Sequence, residues 1–296
     1  MLSTMEVIDS YAEYLRAKNP ESLPSFVQRR ASDPEAALAE AVVFSMLQGF
    51  RVRPEINDKP GTGGADFICS ASGGSPFALL RPPSPESQFI VEATSLDPDA
   101  VTDRTNLPNE APDEIGGGAF GLLTKSVLNK VKAKATQLSG YPMPRVLAIA
   151  SGHFNIGAVF NAATAVNMLV SDFFWKQEIG SNQFDPNQYT NLDRSVFMKP
   201  GPDGSIVATR QSISALLLVG IYGDQSHIYG ILHPEAAYPL NIGFLPKVPF
   251  LRIAKWPITD GRIMTEWVVA EPDGLVISHY PIRLPRAPRA QIVEAE

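Results

Sequence analysis

The chain has 296 residues, of which 44% are apolar and 19% charged, with a net charge of −6. That composition suits a globular protein with a sizeable core, and the acidic balance argues against a global basic field for nucleic acid. A single cysteine, Cys69, excludes an intrachain disulfide and points to a reducing compartment.

Residues 5–18, "MEVIDSYAEYLRAK", predict a helix, with Val7, Tyr11 and Leu15 at helical spacing. Glu6 and Asp9 stand where a signal peptide would carry a basic start and an apolar run, so a cytoplasmic protein is expected. A Pro-containing linker follows. The next helix is expected to start with Ser32 as its cap, Pro34 in the first turn and Glu35 completing a capping box. It runs to Gln48 and stops at Gly49. Strands are expected at Phe50–Arg53, Asp66–Ser70 and Gln88–Ser95, separated by Gly/Pro-rich loops. Residues 97–119 are acidic and poor in apolar side chains, and they read as a mobile loop bordering a functional cleft.

A helix follows at about 120–139, with Leu128, Val131, Ala135 and Leu138 as its apolar stripe. "RVLAIAS" is a fourth strand, and 156–175 an apolar helix. "ISALLLVGIYG" and "HIYGILH" form a strand pair, each apolar stretch too short to span a bilayer. The remainder is Pro-rich and reads as irregular, ending in a loose tail. The expected organisation is an N-terminal helix and linker (1–30), an α/β core (31–240) with a mixed sheet flanked by helices, and a C-terminal extension (241–296) packed on it.

Three acids stand at telling places. Glu40 lies on the capped helix, Asp66 opens the second strand in "GGADFI", and Glu92 sits within the third in "FIVEATSL". Glu40 alone could be a solvated helix residue, and Asp66 alone a turn residue. Glu92 is harder to dismiss, because a carboxylate inside an apolar strand is costly unless paired or bound to a metal. Two carboxylates brought together repel, and a divalent cation such as Mg²⁺ or Mn²⁺ removes that repulsion. A cation so held meets the needs of phosphodiester hydrolysis. Lys130, Lys134 and Gln137, at i, i+4 and i+7, share one face of the following helix. No acid occurs between Glu114 and Asp172, while Lys125, Lys130, Lys132, Lys134 and Arg145 fall in that interval. The chain is therefore locally basic where a phosphate would be met, although a solvated Lys-rich face would look the same.

In this order, "AEAVVFSMLQGFRV", "GGADFI", "FIVEATSL", "LNKVKAKATQL" and "RVLAIAS" resemble the PD-(D/E)XK nuclease superfamily, with its restriction-endonuclease-like fold. "HPEAAYPL" is similar to a turn found in some bacterial members. The likeness covers about 120 residues (35–150) well and the last half of the chain poorly. It implies a metal-dependent endonuclease acting on DNA, with Asp66, Glu92 and the Ala93 carbonyl holding Mg²⁺ or Mn²⁺. Glu40 would orient water or assist a second metal. Lys134 would stabilise developing charge, Gln137 would help place it, and Lys125, Lys130 and Lys132 would contact nucleic acid. Thr94 stands where the family carries its catalytic lysine, and a lysine from the following helix is the expected replacement. If none reaches, the chain would be a catalytically inactive module binding nucleic acid or a protein partner. A non-nuclease α/β protein with Asp66 and Glu92 far apart is the third alternative. No membrane partner is expected, and a homodimer is left open.

Other signals are set aside. Gly116-x-Gly118-x-x-Gly121 follows an acidic loop instead of a strand, so it is not a dinucleotide site. "DPDAVTD" lacks the glycine and terminal glutamate of a calcium loop. His153, His227, His233 and His279 show no zinc spacing.

Overall fold

The computed structural model describes residues 4–57, 64–71, 85–96, 102–103, 119–171, 173–174, 189–190, 192–222, 225–259, 263–271 and 274–278. The chain opens with three helices, α1 (Thr4–Lys18), α2 (Leu23–Ser32) and α3 (Pro34–Gly49). The expected linker after α1 is thus largely a helix: Pro24 sits in its first turn and Arg29 and Arg30 in its last, both favourable positions. The cap of α3 is Asp33 instead of Ser32. Asp33 Oδ1 accepts from the Ala36 amide at 3.0 Å, whereas Ser32 ends α2 and donates its hydroxyl to Gln28 O at 3.1 Å.

Three strands follow, β1 (Val52–Ile56), β2 (Phe67–Ala71) and β3 (Gln88–Ser95), paired antiparallel in succession. The first starts two residues later than expected, and Asp66 stands just outside the second instead of opening it. The third has the predicted bounds. Helix α4 (Ala119–Gln137) crosses to β4 (Arg145–Ser151), parallel to β3. The predicted stripe of Leu128, Val131, Ala135 and Leu138 is buried. The apolar stretch after β4 forms two helices instead of one, α5 (Phe154–Val159) and α6 (Ala162–Val170). The break is at Asn161, whose Oδ1 caps α6 through the Ala163 and Thr164 amides at 3.0 and 3.2 Å.

Short strands β5 (Phe173–Phe174), β6 (Tyr189–Thr190), β7 (Met198–Pro200) and β8 (Ile206–Ala208) make two small ribbons. The predicted pair is β9 (Ala215–Tyr222) and β10 (Gln225–Leu232), antiparallel along its whole length. The Pro-rich remainder, expected to be irregular, supplies β11 (Phe250–Ile253), β12 (Thr265–Glu271) and β13 (Gly274–Ser278). All three extend the same sheet, in the order β1-β2-β3-β4-β9-β10-β11-β12-β13. The described prolines of this remainder, Pro234, Pro239, Pro246, Pro249 and Pro257, lie between strands, where they cost no ladder bonds.

The protein is therefore α/β, with a nine-stranded mixed sheet flanked by helices. Side-chain alternation along β3 and β4 divides the core. Phe89, Val91, Val146, Ala148 and Ala150 face α1–α3, and Ile90, Leu147 and Ile149 face α4, α5 and α6. Among the described residues no helix is long and apolar enough to cross a membrane. Apart from Thr102, Asp103 and Ala119, the segment 97–119 lies outside the described residues, as does the tail beyond Ser278.

Candidate functional site

Register brings two of the three acids together, Asp66 and Glu92. Phe67 is paired with Val91 across β2 and β3, so the next position in the ladder sets Asp66 opposite Glu92, on the sheet face turned to α4. Ile90 donates to Pro144 O and Leu96 to Ala150 O, so even-numbered residues of β3 direct their backbone groups at β4 and odd-numbered ones at β2. Ala93 is odd and lies past the last ladder pair of β2. Its amide is taken at 2.7 Å by Asp66 Oδ2, and its carbonyl shares that edge of the strand. Asp66, Glu92 and the Ala93 main chain thus meet where β2 begins.

Lys134 reaches this point from α4. Its ammonium makes an ion pair with Glu92 Oε1 and donates to Gln137 Oε1 at 2.9 Å. Gln137 in turn donates to Gly64 O at 2.5 Å, tying the helix to the loop that leads to Asp66. The i, i+3 spacing of Lys134 and Gln137 puts both on one helical face, as the sequence indicated. Thr94 is buried one pleat beyond Glu92 on the same face. Lys130 is half-buried a turn earlier, and Lys125 and Lys132 are exposed on α4.

Glu40 arrives from the opposite layer, on α3. It is buried, with both oxygens engaged: Oε1 accepts from the Tyr11 hydroxyl at 2.8 Å, and Oε2 is ion-paired with Arg29. Neither Arg29 nor Tyr11 carries a local pattern that would mark it. They meet Glu40 only because α1 and α2 fold over α3. Asn57 and Tyr141, which hold the backbone before Asp66, are likewise set by tertiary packing.

The electrostatics follow from crowding. Burial, then the neighbouring charge of Glu92 and that of Glu40, push the Asp66 carboxyl well above the usual carboxylate range, against the pull of the Ala93 amide and Arg29. Burial also raises Glu92, with the Lys134 ammonium opposing it. Glu92 Oε2 is buried with no hydrogen-bond partner among the described residues, which is costly for a carboxylate oxygen. An orphaned carboxylate oxygen, a second carboxylate opposite it and a main-chain carbonyl on one edge are hard oxygen donors of the kind Mg²⁺ and Mn²⁺ take. Asp66, Glu92 and Ala93 therefore fit a divalent cation. Among the described residues, no group of three or more His, Cys, Asp and Glu side chains is arranged to hold a metal. Two carboxylates and a main-chain carbonyl are the oxygen donors gathered here.

Two of the histidines make structural hydrogen bonds. His153 Nδ1 caps α5 by accepting from the Ile156 amide at 3.4 Å. His233 accepts from the Glu235 amide at 2.9 Å and bonds Thr209 O at 2.7 Å, and burial pushes its imidazole down to about 4. No protein-family model matches the chain, and no curated protein or solved structure matches it.

Proposed function

We propose that the chain is a metal-dependent nuclease with a restriction-endonuclease-like core, hydrolysing phosphodiester bonds in DNA. The observation that carries the proposal is the convergence of Asp66, Glu92 and the Lys134 ammonium at the start of β2. Element order supports it too: a helix bearing Glu40, an antiparallel three-strand meander, a crossover helix and a strand parallel to the third.

Asp66, Glu92 and the Ala93 carbonyl would hold Mg²⁺ or Mn²⁺, which polarises a phosphoryl oxygen and lowers the pKa of bound water. Lys134 supplies the cation that Thr94 cannot. It keeps a quarter of its side chain in solvent while Glu92 keeps 4%, so a phosphate can approach the ammonium from the open side. Gln137 fixes the rotamer of Lys134 and anchors it to the Gly64 carbonyl. The ammonium then lies where negative charge develops on the phosphoryl group, and a cation fixed in advance stabilises it without reorganisation. Lys125, Lys130 and Lys132 extend positive charge along α4 for the flanking phosphates. Glu40 serves by holding Arg29, whose charge acts on both carboxylates.

One observation favours a second reading. Lys134 is ion-paired with the carboxylate itself, a self-neutralised arrangement that a non-cutting, nucleic-acid- or protein-binding module could keep for stability. Cleavage of plasmid DNA by purified protein with Mg²⁺ or Mn²⁺ separates the two. The parent is expected to nick and EDTA to stop it. Lys134→Ala is expected to cut at least about a hundredfold more slowly. It should bind Mn²⁺ as well as the parent or better, because the ammonium no longer competes for Glu92. Equal cutting by Lys134→Ala removes the lysine from the mechanism, and a parent that binds DNA but never cuts it establishes the inactive module.

A further inference from the structure

The three residues that lead into β2 are held by hydrogen bonds from Asn57, Gln137, Ala93 and Tyr141, and the Tyr141 hydroxyl joins two of these contacts by accepting from both Ala65 and Asn57. Tyr141 follows the single 3₁₀ turn (Leu138–Gly140) that ends α4. Its carbonyl accepts from Arg145 Nε at 2.7 Å, which fixes its backbone against the root of β4. Its hydroxyl accepts from the Ala65 amide at 2.9 Å and from Asn57 Nδ2 at 3.0 Å. The same Asn57 Nδ2 donates to Ala65 O at 2.9 Å, and the Asn57 amide donates to Asp66 O at 2.8 Å. Gly64 completes the fit: a Cβ there would lie 2.7 Å from the Tyr141 oxygen, so a larger residue would have to displace the hydroxyl.

From this geometry we infer that Tyr141 is a positioning residue for the metal-binding carboxylate Asp66, acting by tying the Gly64–Asp66 backbone to the end of the helix that carries Lys134 and Gln137. The inference rests on the nuclease reading for what Asp66 binds, though not for the clamp itself. Gln137 lies one turn of chain before Tyr141 and Lys134 two, and Asp66 directly follows Ala65, whose amide the hydroxyl takes. The Tyr141 hydroxyl therefore sets the spacing between the cation-bearing helix and the carboxylate. Supporting groups of this kind commonly change metal affinity about 10–100-fold when removed.

Two variants break the clamp from opposite sides. Tyr141→Phe keeps the ring and removes the acceptor. Gly64→Ala keeps the hydroxyl and pushes it away, and the Gly64 backbone is outside the left-handed region, so alanine is not strained there. Each is expected to weaken Mn²⁺ binding about tenfold, with the urea midpoint nearly that of the parent. Each should also speed exchange of the Ala93 amide in metal-free protein, because Asp66 is the group that holds this proton. The double variant is expected to be no worse than Tyr141→Phe alone, since a phenylalanine leaves no oxygen for the new methyl to strike. Unchanged Mn²⁺ affinity and Ala93 exchange in both single variants overturns the inference, as does a double variant whose losses multiply. A lowered midpoint with unchanged affinity and exchange also overturns it, because Tyr141 would then be only structural. If the parent itself binds no Mn²⁺, the nuclease reading fails, and Ala93 exchange alone decides whether Tyr141 positions Asp66.

Discussion

Two glutamates buried to nearly the same degree, Glu40 at 5% and Glu92 at 3% exposed, sit in different layers of this protein and differ in their partners. Glu40, in the layer of α1–α3, has one oxygen on Tyr11 and the other on Arg29. Glu92, in the layer of α4, has one oxygen on Lys134 and the other without a hydrogen bond among the described residues. Burial alone therefore does not mark a functional carboxylate. A carboxylate whose acceptors are filled is satisfied by the scaffold, whereas one left short, facing a second carboxylate, is where the proposed function puts a cation.

The largest effect that would break this comparison lies on the Glu40 side. Glu40→Ala leaves Arg29 and the Tyr11 hydroxyl without their shared acceptor. It should cost about 3 kcal/mol, the lower end for a broken buried pair because Arg29 is partly solvated. Urea unfolding measures it, and a loss under 1 kcal/mol on the order-of-magnitude scale for exposed pairs would make Glu40 as dispensable as a surface glutamate.

Glu92→Gln should go the other way. Its carboxyl is raised by burial even with Lys134 beside it, so the folded chain gains little from the charge. The amide variant should be as stable as the parent or about 1 kcal/mol more stable, the sign expected if Glu92 is kept for the proposed function at a cost in stability. A loss as large as that of Glu40→Ala would place both glutamates in the scaffold.

The smallest effect is in the pH dependence. Asp66 and Glu92 both titrate higher in the folded chain than in the unfolded one. Their favourable contribution is full below the ordinary carboxylate range, about pH 4. It is lost as pH rises from there through the raised values, because over that interval the unfolded chain has released protons that the folded chain still holds. Stability should decline over that interval in the parent, and the decline should be shallower in Asp66→Asn. Parallel pH profiles for the two proteins would mean that the carboxylate pair is not under strain.

Much of the arrangement was legible because it is local. The apolar run of β3, bounded by Gln88 and Ser95, gave that strand its bounds, and the spacing of Lys134 and Gln137 gave a shared helix face. Helix α2 was hidden by Pro20 and Pro24, read as a linker although Pro24 favours a first turn and Arg29 and Arg30 a last one. The strands β11, β12 and β13 were hidden by the prolines between them. At the site, Asp66 and Glu92 could be paired from their places on successive strands. Tyr11, Arg29, Asn57 and Tyr141 could not. Each comes from a different part of the chain and touches the site through a few hydrogen bonds made by tertiary packing, which leave no periodic trace in sequence.

The measurement that bears most directly on the central claim is calorimetric titration of Mn²⁺ into the parent, Glu40→Gln and Glu92→Gln proteins. Binding of Mn²⁺ by the parent, retained in Glu40→Gln and lost in Glu92→Gln, is the predicted result. Equal binding by the parent and Glu92→Gln, or none by the parent, would contradict it.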